Sequence, residues 1–232
     1  MTVMTEPVGL ARVLRTNGSV RAFRAEPVTD DELFTVLDHA RFAPSGGNKQ
    51  GWRVVVLRDA ARRAAVLDLM EGVAREYVAL MRDGQRPFGL TAHGRWPGPG
   101  SVDLAAARAE TGPSIVSPLR DAPVLLVVAV DTGLVAAMDA ELDRHGIVAG
   151  ASIYPFCQNV LLAARLVGLG GVITTFAVRE EPAVRTLLAL PATHAVAAVI
   201  ALGRPEKQAS RLTRNPVSAF ATVDSFDGPA FG

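Results

Sequence analysis

The chain has one cysteine, Cys157, in 232 residues. No intramolecular disulfide can form, and a reducing compartment is the natural expectation. Lysine is nearly absent, confined to Lys49 and Lys207, so arginine carries almost all the positive charge. There is no excess of either sign: 24 basic residues face 23 acidic ones for a net charge of +1. That balance leaves no electrostatic footprint for nucleic acid or an anionic membrane. The histidines, His39, His93, His145 and His194, are scattered without ligand spacing, which argues against a metal site. An uninterrupted apolar run of membrane length is also missing. Residues 147–167 have the length, but Ser152, Pro155, Gln158, Asn159 and Arg165 mark them for a buried core or a subunit interface. Residues 1–16 lack the basic and apolar blocks of a leader, so none is read there. No Gly-x-Ser-x-Gly elbow, phosphate-binding loop or Ser/His/Asp set is visible. Gly168-Leu169-Gly170-Gly171 precedes a strand rather than opening a helix, so a glycine C-cap suits it better than a dinucleotide fingerprint. An enzyme with so little chemistry of its own needs a borrowed cofactor.

What is present is a folding chain: 49% of its residues are apolar, enough for a substantial core. A helix is expected over residues 9–16. Thr29 and Glu32 form a capping box for a second, with Leu33, Val36, Leu37 and Ala40 on one face and Pro44 ending it. Residues 53–57 read as a strand, and Asp59 caps a long helix reaching about Arg82. Residues 83–121 change character, with five glycines and three prolines in the first 21 positions and the aromatics Phe88 and Trp96. Such an insert is either a functional lid or a disordered segment. Strands follow at 123–130, 171–176 and 195–202. Helices are expected at 134–145, through the apolar stretch up to Gly168, and at 180–190. The tail 203–232 is polar and extended. The sum is one α/β (α+β) domain over 1–232, a mixed central sheet flanked by helices.

Three separated segments suit an anionic ligand. Ser19 and Arg21 offer a hydroxyl and a guanidinium after a turn. The loop Pro44-Ser45-Gly46-Gly47-Asn48-Lys49-Gln50 offers polar groups beside glycines that let backbone approach closely. The tail offers Arg204, Arg211 and Arg214, and charge-assisted hydrogen bonds to phosphate are strong ones. Taken singly, each reads as a turn or a solvated tail.

Together with "ARFAPSGGNKQGWRVVVLRD" and "QNVLLAARLVGLGGVITTF", in that order and separation, these segments resemble the nitroreductase family of flavin oxidoreductases over nearly the whole chain. The resemblance implies FMN as cofactor and NAD(P)H as electron donor. It implies an intertwined homodimer with flavin at the subunit interface, in a bacterial cytoplasm. The implied FMN contacts are Ser19, Arg21, Pro44, Ser45, Gly46, Asn48, Gln50, Gly170, Gly171, Thr174, Thr175, Arg211 and Arg214. The backbone at Thr175 or Phe176 would face flavin N5, and the 44–50 loop would reach the flavin held mainly by the partner. The family's leading arginine falls at Asn17, which leaves Arg21 and Arg211 or Arg214 to carry the phosphate charge. Ser152 and Tyr154 would meet substrate, as would Phe88 and Trp96 if the insert is a lid. Pro155 implies either a kink or a helix that starts near it. The implied reaction moves hydride from NAD(P)H through the flavin to a nitroaromatic or quinone. A flavin-storage protein and a dehalogenating or flavin-cleaving relative stay open as alternatives.

Overall fold

Thr29 and Glu32 close the capping box the sequence predicts. The Thr29 N–H donates to Glu32 Oε2 at 2.9 Å, and the Glu32 N–H donates to Thr29 Oγ1 at 3.2 Å. In this computed structural model, which describes residues 9–91 and 94–232, that box starts α2 (Asp30–Ala40). Residues 1–8, the front of the segment read for a leader, lie outside the described residues, as does His93. Upstream, α1 spans Leu10–Thr16, and Asp59 caps α3 (Ala60–Arg82) by accepting from the Arg62 N–H at 2.8 Å.

Four strands follow from the β-branched runs: β1 (Trp52–Val56), β2 (Val124–Asp131), β3 (Gly170–Thr174) and β4 (His194–Gly203). Their order in the sheet is β1-β2-β4-β3. Sequence leads one to expect a mixed sheet, yet every pair among these four is antiparallel. β2 is buried along nearly its whole length because helices cover both faces, which is why it reads as an unbroken apolar run. On one face Leu126, Val128, Ile200 and Leu202 pack against α2 and α5 (Tyr154–Ala164). On the other, Leu125, Val127, Val199 and Ala201 meet α3 and α6 (Glu181–Leu188). Fully burying each Val or Leu of this kind stabilises the fold by roughly 1.5–3 kcal/mol. The pairing slips between Val128 and Ala129, so Val196 and Ala198 oppose consecutive β2 residues and Ala197 is the extra residue of a bulge.

Two helices differ from expectation. Residues 134–145 form no helix; after a single 3-10 turn at Thr132–Leu134 the chain is a loop gathered around Asp139. The long apolar helix is broken: Val148–Ser152 is 3-10, and α5 starts only at Tyr154. Pro155 therefore sits in the first turn, where its missing N–H costs nothing, and no kink is needed. The described part of the insert carries a short α4 (Leu104–Ala109) and a 3-10 turn, Ser117–Asp121. No helix among the described residues is long and apolar enough to cross a membrane.

Candidate active site

Residues 19–23 run beside β3 as a strap. The Val20 N–H donates to the Gly171 carbonyl at 2.9 Å, and Phe23 forms a bridge with Pro205. This hydrogen bond fixes Arg21 at the edge of the sheet, beside the end of β3. There Arg21, Thr174, Thr175 and Phe176 line one cavity of about 670 Å³. Positions 21 and 174–176, which the sequence singles out far apart, are thus brought together. The Phe176 N–H is held only loosely, 3.5 Å from Thr174 Oγ1.

The rest of the wall is apolar, and sequence reasoning missed it. Tyr77 comes from α3, Val172 and Ile173 from β3, and Ile115, Val116 and Leu119 from the insert. The signal was an Ile-Val pair inside a polar, proline-rich stretch. Phe88 and Trp96 do not line this cavity, contrary to expectation. Their rings pack on each other at 5.3 Å, and Phe88 lies 6.4 Å from Tyr77, which stands edge-on to Phe176 at 5.6 Å. The two insert aromatics back the wall rather than form it.

Gly170 and Gly171 also fail to face the cavity. A Cβ on Gly171 would stand 2.3 Å from the Ala201 carbonyl, and one on Gly170 would meet Val20 and Gln208. Their bareness serves packing between β3, β4 and the strap. Ser19 is exposed on the strap two residues before Arg21. In the tail, Gln208 donates to the Thr16 carbonyl at 2.7 Å and the Leu212 N–H to Arg15 at 3.1 Å, which lays the segment carrying Arg211 over the end of α1. Arg214 is exposed and, among the described residues, bonds only its neighbour's carbonyl, at 2.7 Å. Arg204 is already committed, paired with Glu32 at 2.6 Å and Glu26 at 3.2 Å. Burial works to raise the Glu32 carboxyl, but the Thr29 N–H and Arg204 outweigh it and hold Glu32 below the usual carboxylate range.

The 44–50 loop lies elsewhere. It contains one 3-10 turn, Gly46–Asn48, made possible by Gly47 at φ +56°. Ser45 Oγ accepts from the Gln50 N–H at 2.9 Å, and Gln50 Nε2 donates to Asn48 Oδ1 at 3.2 Å. Asn48 and Gln50 both take positive φ, so the loop is held taut by its own side chains. Ser152 is buried and accepts from the Gly46 N–H at 3.1 Å, so its hydroxyl supports the loop instead of facing a ligand. Tyr154 lines a second cavity of about 770 Å³, together with His145, Ile147 and Ala197. Burial, helped by Cys157, raises the Tyr154 phenol. Cys157 itself is buried and pushed up to about 12, an inert thiol.

Register relates the two groups. Trp52 pairs with Val130, Val130 with Ala195, and Thr174 with Val199. The loop before β1 and the turn after β3 therefore leave the same end of the sheet from opposite edges. Two strands intervene, which separates β1 and β3 by roughly 14 Å. Within one chain these halves do not meet.

Comparison with known proteins bears on the family and the fold. The family model described as the nitroreductase family matches residues 14–204. A 5,6-dimethylbenzimidazole synthase of Rhodospirillum rubrum is 29% identical over 206 residues, covering 86% of this chain and 83% of that protein. A nitrobenzene nitroreductase of Ectopseudomonas oleovorans is 27% identical over 227 residues, covering 90% and 94%. Among solved structures, the NADPH:FMN oxidoreductase of Vibrio harveyi, complexed with NAD+, superposes with a TM-score of 0.65 at 20% identity. That match covers 94% of this chain and 77% of the other and bears on the fold alone.

Proposed function

The chain belongs to the nitroreductase family, and on that premise we propose that it is an FMN-dependent oxidoreductase working as a homodimer on electron-poor acceptors. The observation that carries the reading is the convergence of Arg21 with Thr174, Thr175 and Phe176 on one cavity. The residues there suit FMN. The volume, about 670 Å³, lies in the range of small-molecule sites, and the lining combines an apolar wall with a few polar groups. Arg21 supplies the charge an anionic cofactor requires, with Ser19 and Arg211 on adjoining segments. Bound FMN supplies the ring that accepts hydride from NAD(P)H and yields it to a nitroaromatic or quinone.

The chain's own contribution is placement. The loosely held Phe176 N–H is available to donate where negative charge gathers during reduction, and Thr175 borders the same cavity. Tyr77, Ile115, Val116 and Leu119 exclude water and present a face for planar substrates. The 44–50 loop, which leaves the sheet from the opposite edge, completes the site of a second copy, with Tyr154 two residues past the Ser152 that accepts from Gly46 in that loop. Apolar surface supports that dimer. Leu10, Val13, Leu162 and Leu166 line a groove between α1 and α5, and Phe220 and Phe226 stand exposed on the tail. A cytoplasmic setting accords with the lone buried thiol, and a bacterial one with the sources of the two relatives named above.

The test is direct. Purified protein should be yellow or become so with FMN, and should oxidise NADH or NADPH when given nitrobenzene or a benzoquinone. Colourless protein that ignores added FMN would end the proposal. A second reading, a specialised enzyme gripping one substrate, draws on the insert residues in the cavity wall and on the synthase among the relatives. It would show as bound, reducible FMN without turnover of either acceptor. Bound FMN that NAD(P)H cannot reduce would point to storage.

A further inference from the structure

A partly buried charge cluster, centred on the buried Glu76, ties the insert to the turn after β3. Arg108 of α4 sends Nε to Glu76 Oε1 at 2.8 Å and Nη1 to Glu180 Oε1 at 2.7 Å. Glu76 lies on α3 with its side chain 5% exposed, and Glu180 ends the 3-10 helix Phe176–Glu180. Gly72, one turn before Glu76, makes the approach possible: a Cβ there would stand 3.1 Å from Arg108 Cγ. Arg179 joins from the same 3-10 helix, with Nε 3.5 Å from Glu76 Oε2 and its guanidinium over the rings of Phe88 at 4.3 Å and Trp96 at 5.2 Å. One guanidinium thus joins three elements, and a second stacks the insert's aromatics onto the turn.

These ion pairs add little net stability, because desolvation of Glu76 offsets the attraction and solvent screens the half-exposed arginines. What a planar fork shared by two carboxylates does supply is direction. The direction matters here because Phe176–Glu180 continues the backbone that borders the cavity, while α4 leads within a few residues to Ile115, Val116 and Leu119 on its other wall. A second tether holds that wall to α3: Glu71 accepts from Ser117 Oγ at 2.9 Å and from Arg120 Nε at 3.1 Å. We propose that Arg108 is a positioning residue, locking the insert and the 176–180 turn into one unit so that the two walls of the cavity keep a fixed spacing. Its consequence for catalysis rests on reading the cavity as the FMN site; the mechanical coupling does not.

Hydrogen exchange on the cofactor-free protein tests the coupling. In Arg108→Gln, amides in 104–119 and in 175–180 should speed up together, by about tenfold or more. Faster exchange confined to 104–119 overturns the proposal. Because Arg108→Gln strands Glu76 and can unfold the chain, Arg108→Lys and Glu180→Gln are measured beside it. Lysine keeps the charge but cannot fork to both carboxylates, so the same joint loosening is expected in milder form. With FMN added, Arg108→Gln should lower the ratio of affinities for reduced over oxidised FMN about tenfold, read as the midpoint potential. An unmoved ratio overturns the positioning role. Wild-type protein that binds no FMN would sink the flavin reading instead, and the exchange experiment would still decide the coupling.

Discussion

Among the described residues Arg21 offers the cavity its one guanidinium, and the other lining side chains carry hydroxyls or hydrocarbon. Arg21→Gln removes the charge and keeps most of the length. A hydrogen bond to a charged group contributes about 1.5–3 kcal/mol, so FMN affinity should fall about ten- to a hundredfold, measured by quenching of flavin fluorescence. Melting temperature should hardly move, because Arg21 is exposed without the cofactor. Glu32 behaves differently, since its partners are internal. Its carboxyl is held below the ordinary value by Thr29 and Arg204 against the opposing effect of burial. A depressed folded pKa gives stability that is present above the unfolded value, about 4.3, and lost as pH falls through the folded one. The gap in melting temperature between wild type and Glu32→Gln should therefore be open at pH 6 and shrink from about pH 4 downward. A gap that stays constant to pH 3 would contradict this account.

Elements differ in how much of them a sequence reveals. Gly171 belongs to β3, where a Cβ would drive into the Ala201 carbonyl 2.3 Å away. Gly171→Ala should part β3 from β4 and destabilise the fold by about 2 kcal/mol or more, seen as a lower denaturant midpoint or as insoluble protein. Nothing local marks this glycine as a packing residue, because the carbonyl that needs the space lies thirty positions on. The capping box, the Asp59 cap and the run of β2 were legible because each is set by neighbours a few residues apart. Residues 134–145 misled because their apolar spacing suits a helix. The chain is instead gathered on Asp139, whose Oδ2 accepts from the Ile147 N–H at 2.8 Å and from Arg144 at 2.9 Å, a contact between residues that pattern does not link. The same limit governs the site. Arg21, Thr174 and Thr175 were readable as motif positions. Tyr77 and the 115–119 wall were not, because only the fold brings them to the cavity.

At the scale of the molecule, the groove of Leu10, Val13, Leu162 and Leu166 should be where two copies meet. Leu166, half exposed in the single chain, is a suitable probe. Leu166→Glu would place a charge in a closed apolar contact, so the wild type should elute at twice the chain mass and the variant at the chain mass under light scattering. FMN should leave along with the dimer. The opposite-edge placement of the 44–50 loop and the Arg21 cavity has a genetic corollary. If each site borrows its loop from the neighbouring chain, an Arg21→Gln chain and an Asn48→Ala chain are defective in different halves. Mixed in a co-expressed pair, one of the two sites inherits both faults and the other inherits neither. Two poorly active alleles should then complement each other and recover up to half of wild-type turnover per mixed dimer. Their failure to do so, with mixed dimers isolated, would mean that each chain furnishes its own site.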